Sequence, residues 1–165
     1  MSIADLFYNF AYSTIGFFDM NLVSNNLVDL AENLRRLGIS PTKQRIAIGE
    51  VIFSRNQHIS AEQILEKAKE ADASVSKATV YNTLNLFVEK KIVRELIIDR
   101  SKIFYDPNTD FHHHIYNVDT GEIRDISADS LSVTGLPELP SGVQLEGADV
   151  VIRVRSKTVQ STVSV

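Results

Sequence analysis

The chain contains no cysteine. Disulfides and thiolate metal sites are therefore excluded, and any metal ion must be held by His, Asp or Glu, with Tyr a further candidate. No apolar run is long enough to cross a bilayer, and no membrane partner is expected. Residues 3–18 are apolar and aromatic but contain Asp5, Asn9 and Tyr12, and they lack a basic leader and a clear cleavage site. A signal peptide is therefore not expected, and the chain reads as cytoplasmic. Met20 offers an alternative start that would make residues 1–19 a translation artefact; an extra amphipathic helix is the competing reading. Neither a nucleophile–base pair nor a His-Glu-x-x-His pattern appears, so an enzyme is not expected. Histidine is confined to His58 and the triplet His112-His113-His114, and none follows Asp125.

At 165 residues with a 44% apolar fraction, the chain can build one domain or two small ones. The net charge of −4 is unevenly spread. Residues 25–107 carry 13 Lys/Arg against 11 Asp/Glu, and the remainder carries 4 against 10. The first part is the more basic one, and a dimer would double its phosphate contacts without an extreme isoelectric point.

What the chain does have is a 17-residue stretch, Lys77 to Val93, reading KATVYNTLNLFVEKKIV. Ser76 can cap a helix there, and Val80, Leu84, Phe87 and Val88 fall on one face. Thr79, Tyr81, Asn82 and Asn85 project elsewhere, with lysines at the ends. An apolar back with a front of amides, hydroxyls and one aromatic suits a DNA major groove; the bland alternative is an ordinary surface helix.

The surrounding pattern favours the groove. Asn25–Leu37 reads as a helix ended by Gly38, and Ser40-Pro41 opens a second helix through Phe53. Ser60 and Gln63 form a capping-box pattern for a third. Beyond the candidate reading helix, Ile92–Ile98 and Lys102–Tyr105 form a β-hairpin around residues 99–101. Three helices, a recognition helix and a hairpin make a winged helix-turn-helix.

Pro107–Asp110 reads as a linker, after which strands dominate. His112–Val118 and Glu122–Ile126 flank a turn at Asp119-Thr120-Gly121, a short helix covers Ser127–Val133, and Val143–Arg155 is a long strand candidate with Val150, Ile152 and Val154 on one face. This second part is small and edge-rich, which predicts a homodimer. The expected divisions are an extension at 1–24, a DNA-binding domain at 25–107, a dimerisation and effector-binding domain at 108–155, and a flexible tail at 156–165. The fold class is α+β, a winged helix-turn-helix followed by a small α/β dimerisation domain.

In a strand over 112–118, His112 and His114 share one face and His113 takes the other. Two imidazoles at that spacing can grip a first-row divalent ion or an iron porphyrin. A polar strand or linker is the bland reading of the triplet. Asp125 is the candidate carboxylate. With a two-residue turn at Thr120-Gly121 it lies opposite Tyr116, diagonal to His114 on the same face; with a three-residue loop it moves to the face of His113. The sequence leaves both registers open.

The segments Pro41-Thr42-Lys43-Gln44-Arg45, His58-Ile59-Ser60-Ala61-Glu62, Ala78-Thr79-Val80-Tyr81-Asn82-Thr83-Leu84 and His112-His113-His114 followed by Gly121 occur in that order. Together they resemble the ferric uptake regulator family over roughly residues 25–155. Most members place a Cys-x-x-Cys just after the His-rich segment to hold a structural zinc. Asn117 and Thr120 stand at the matching positions, so no structural zinc held by four cysteines is expected. A cysteine-free relative with three consecutive histidines looks like the iron response regulator branch, which answers to haem or haem status.

The resemblance implies a homodimeric regulator acting on promoters of iron and haem metabolism genes. It leaves the direction of control open, with a repressor as the expectation. It places ligands at His58, at Tyr105 or Asp106, and at Asp125. With the two same-face histidines, the expected set for Fe, Mn or Zn is His58, Asp106, His112, His114 and Asp125, at the join between domains. Haem would use His112, His113 or His114. The expected DNA partner is an AT-rich operator. Arg45 and Lys77 are expected on its phosphates, Tyr81 and Asn82 at base edges with Thr79 and Asn85 beside them, and Arg100 and Lys102 in the wing. A haem or metal carrier using the same histidines without gene regulation is the rival reading.

Overall fold

The structure is a computed structural model that describes residues 27–99, 102–145 and 147–157. The described residues fall into two compact units that divide between Asp110 and Phe111. The expected N-terminal extension, Arg100 in the wing and most of the expected tail lie outside the described residues.

In the first unit, α1 (Leu27–Arg36), α2 (Lys43–Phe53), β1 (Ile59–Ser60), α3 (Ala61–Ala71), α4 (Lys77–Glu89), β2 (Arg94–Asp99) and β3 (Lys102–Asp106) follow in order. Leu34, Ile48, Ile52, Ile64, Ala68, Leu84 and Phe87 are each fully buried in one shared core. The apolar stripes of four short helices thus close on one another, which is how such helices gain stability that propensity alone does not give. Phe53 and Phe87 meet at a ring-centroid distance of 5.7 Å.

The helix ends follow local chemistry. Gly38 sits at φ +75 and lets Ile39 N–H reach back to Leu34 O at 2.8 Å, closing α1 as expected. The start of α2 is a correction. Thr42, not Ser40, is its N-cap, and its hydroxyl accepts from Arg45 N–H at 3.3 Å. The capture of that N–H delays the helix two residues past the expected Ser40-Pro41 opening. Ser60 and Gln63 form the full capping box on α3. Ser76 caps α4, accepting from Thr79 N–H at 3.1 Å. The helix stops at Glu89, short of the apolar stretch through Val93, where Lys91 takes a left-handed φ of 56.

β2 and β3 form the expected hairpin, but the sheet has a third strand that the pattern does not announce. β1 pairs antiparallel with β3, in the order β1-β3-β2. Two residues are too few to show a period, so only the tertiary pairing reveals them.

In the second unit, β4 (His112–Asn117) is central, with β5 (Ile123–Ser127) antiparallel on one side and β6 (Val151–Val154) parallel on the other. Two expectations are corrected here. The helix over 127–133 is one 3-10 turn, Ala128–Ser130, capped by Ser127. The long strand over 143–155 is only four residues, because Val143 follows the Pro140 and Gly142 break and the chain joins β4 only from Val151.

The β4–β5 register is neither of the two expected ones. His114 pairs with Asp125 and Tyr116 with Ile123. Asn117 N–H donates to Glu122 O at 2.9 Å, leaving a four-residue loop, Val118–Gly121. Asn117 Oδ1 holds that loop by accepting from Asp119 N–H at 3.0 Å and Thr120 N–H at 3.3 Å, and Gly121 supplies a φ of +74. Asp119 then reaches the chain beyond β6, bonding Arg155 Nη1 at 2.8 Å and Ser156 N–H at 2.9 Å.

Candidate functional site

The histidine triplet lies on β4 and is buried. His112, His113 and His114 are 4%, 1% and 0% exposed, which excludes a solvated polar strand. Strand alternation sets His112 and His114 side by side, with ring centroids 4.5 Å apart. Asp125 comes from β5 onto the same face. Its Oδ1 stands 3.5 Å from His112 Nε2 and 4.0 Å from His114 Nε2.

These separations fit a metal better than hydrogen bonds. A good N–H···O bond spans roughly 2.7–3.2 Å. Two atoms that each ligate one divalent ion stand roughly 3–4 Å apart. Two imidazoles and a carboxylate are also the donor set that first-row divalent ions accept. His113 is turned away, its Nδ1 accepting from Val150 N–H at 3.3 Å and its ring edge-on to Phe111 at 5.0 Å.

The first unit carries a second pair. His58 precedes β1 and Asp106 ends β3, and the β1–β3 ladder holds their backbones together. His58 Nε2 and Asp106 Oδ2 are 3.6 Å apart, with side chains 7% and 1% exposed. Asp106 also accepts from Asn108 N–H at 2.8 Å. Of the two residues left open at this position, Tyr105 sits in the hydrophobic core opposite Ile59. Burial first, then Glu95, Tyr81 and Glu62, push its phenol up to about 12, so it resists becoming a phenolate ligand.

On its outer side α4 exposes Asn82, Asn85 and Lys77, while Val80, Thr83, Leu84 and Phe87 are buried. Thr83 joins the buried set although it lies outside the expected apolar stripe. Thr79 is half-buried and its hydroxyl meets that of Ser76 at 2.8 Å, so it serves the cap as well as the surface. Tyr81 packs partly against the core, Lys77 Nζ lies 5.7 Å over its ring, and its hydroxyl donates to Glu62 at 3.3 Å. Arg45 is half-exposed, with Nη1 donating to Ser40 O at 3.0 Å. Lys102 is exposed in the wing. Sequence reading misses Glu62 as a partner of Tyr81, because they are separated by 19 positions and no local period joins them.

Residues 36–152 match the sequence profile of the ferric uptake regulator family. The chain belongs to the ferric uptake regulator family. It is therefore a member of a family of transcriptional regulators, not of enzymes. The peroxide-responsive repressor PerR of Staphylococcus epidermidis is 32% identical over 107 residues, covering 65% of this chain and 71% of that protein. The ferric uptake regulator of Vibrio cholerae is similar in structure at a TM-score of 0.59, with 25% identity, over 77% of this chain and 99% of that one. The Pseudomonas aeruginosa regulator, solved with manganese, gives 0.56 at 25% identity, over 77% and 97%. The family's α+β architecture, a DNA-binding domain followed by a small α/β domain, is thus the fold of this chain. Among the described residues no helix is long and apolar enough to cross a membrane.

Proposed function

We propose that this ferric uptake regulator family member is a cytoplasmic, homodimeric repressor that binds an AT-rich operator when a divalent ion occupies its His/Asp ligands. The observation that carries the reading is the convergence of His112, His114 and Asp125 on one face of the β4–β5 pair at ligand-to-ligand distances. His58 and Asp106 supply two further donors of the same kind. Together these five residues are the proposed ligand set for Fe, Mn or Zn. An ion that binds one conformation of the protein better than another shifts the population toward that conformation.

In that conformation α4 would read the major groove, with Tyr81 and Asn82 at base edges, Thr79 and Asn85 beside them, and Arg45, Lys77 and Lys102 on phosphates. The domain division we adopt places DNA binding in residues 25–107 and dimerisation with effector binding in 108–155. The apolar Ile152 and Val154 on edge strand β6 are 38% and 37% exposed, which supports a second copy as their cover.

The cysteine-free hairpin and the histidine triplet support kinship with the iron response regulator branch and its control of iron and haem genes. Haem itself is less well supported as a direct ligand. An axial haem ligand needs open space beyond an imidazole nitrogen, and His113 is 1% exposed with Nδ1 engaged by Val150 N–H. The test is operator binding by the full chain, with and without Mn²⁺, in wild type and in His112→Ala/His114→Ala. Metal-dependent binding lost in the double variant supports the reading. Metal-independent binding in both overturns the sensor, and metal binding without any DNA affinity supports a carrier instead.

A further inference from the structure

We propose that Glu62 is a specificity-determining positioning residue, whose carboxylate fixes the Tyr81 hydroxyl so that the ring offers one defined edge to a base. The proposal rests on the reading of α4 as the groove-facing helix and adds to it a residue outside that helix.

A tyrosine turns about two side-chain bonds, and a ring that is free to sample rotamers loses that freedom when it docks on a base. Tyr81 is restrained from three directions. It packs partly against the core, Lys77 Nζ lies over its ring face at 5.7 Å, and Glu62 accepts a hydrogen bond from its hydroxyl at 3.3 Å. The first two restraints act near α4. Of the three, only Glu62 acts at the far end of the ring, where a small rotation moves the edge most.

The side chain of Glu62 is exposed, and its backbone is well held. It lies in the first turn of α3, between Ala61, which is 5% exposed, and Gln63, which closes the capping box with Ser60. β1, which leads into α3, is tied to β3. A cavity of about 280 Å³ lies alongside, lined by Leu65, Lys69 and Lys77 as well as Glu62 and Tyr81. That space gives the ring somewhere to swing once the hydroxyl is released.

The competing explanation is that Glu62 only complements the N-terminus of α3, where an acidic residue is favoured. That role would alter stability and leave sequence discrimination alone. A carboxylate near a phosphate backbone also opposes binding, which makes it a poor choice for affinity and a tolerable one for orientation.

The experiment begins with the Mn²⁺-loaded full chain selecting its operator from a randomised duplex pool. The ratio of operator to random-duplex affinity is then measured for Glu62→Ala, Glu62→Gln, Tyr81→Phe and Glu62→Ala/Tyr81→Phe. Loss of one hydrogen bond predicts a fall in that ratio of roughly 3- to 10-fold for Glu62→Ala and for Tyr81→Phe. The double variant should fall no further than either single one, and Glu62→Gln, which keeps an acceptor, should retain most of the ratio. An unchanged ratio in Glu62→Ala, or additive losses in the double variant, overturns the proposal while leaving the reading helix intact. A pool that yields no enriched sequence overturns the reading helix itself, and the role of Glu62 with it.

Discussion

His114 and Asp125 are direct cross-strand partners, and the same Asp125 oxygen that stands 4.0 Å from His114 Nε2 stands 3.5 Å from His112 Nε2. A four-residue loop creates this pairing. A loop one residue shorter would turn Asp125 to the face of His113, since one step of register reverses every side chain. The placing of Asp125 beside the two histidines is therefore set by the loop as much as by the residues themselves.

Metal binding should follow strand parity. His112→Ala/His114→Ala is expected to abolish tight Mn²⁺ and Zn²⁺ binding, and Asp125→Ala to weaken it, each read by isothermal titration. His113→Ala should bind either ion nearly as wild type does, because its Nδ1 faces Val150 N–H. Wild-type affinity in the double variant would rule out the one-face site. Haem titrated into the same set checks the branch kinship, with survival of haem binding after loss of all three histidines excluding the triplet.

DNA contacts should separate by type. Tyr81→Ala should reduce discrimination between operator and random duplex, and Arg45→Ala should weaken both alike with a shallower salt slope. Each phosphate contact removed should lower that slope by about one. Equal losses on both duplexes in Tyr81→Ala would mean that α4 does not read sequence.

The second unit should tolerate chelators. Its hairpin is closed by hydrogen bonds among Asn117, Asp119, Arg155 and Ser156. Excess EDTA should leave the dimer intact in light scattering, and dissociation would reveal a structural metal. Asp119→Ala should cost at most about 1 kcal/mol, since its ion pair with Arg155 is exposed. Its sharper effect should be faster amide exchange at Ser156, whose N–H it accepts.

Two substitutions test the first unit by thermal denaturation. Leu84→Ala empties a fully buried core position and should destabilise by about 2–5 kcal/mol. Lys91→Gly relieves a left-handed residue at the end of α4 and should be neutral to stabilising by about 1 kcal/mol. Destabilisation by Lys91→Gly would show that the lysine side chain contributes more than its backbone costs.

Much of the protein is written locally. Ser60 with Gln63, Ser76, Gly38 and the apolar positions of α4 act within one or two helical turns, so caps and stripes are legible without a fold. The alternation that separates His113 from His112 and His114 is equally local, a consequence of the two-residue period of a strand. Tertiary structure decided what depends on the meeting of distant segments. It sent the Tyr105 phenol into the core and set Asp106 beside His58, paired β1 with β3 and β6 with β4, shortened the expected strand over 143–155, and set the loop that aligns Asp125 with His114. It also joined Tyr81 to Glu62 across 19 positions. Periodicity determines which face a side chain takes on its own element. Which partner it finds there depends on register and packing between elements, and no single stretch of sequence encodes that.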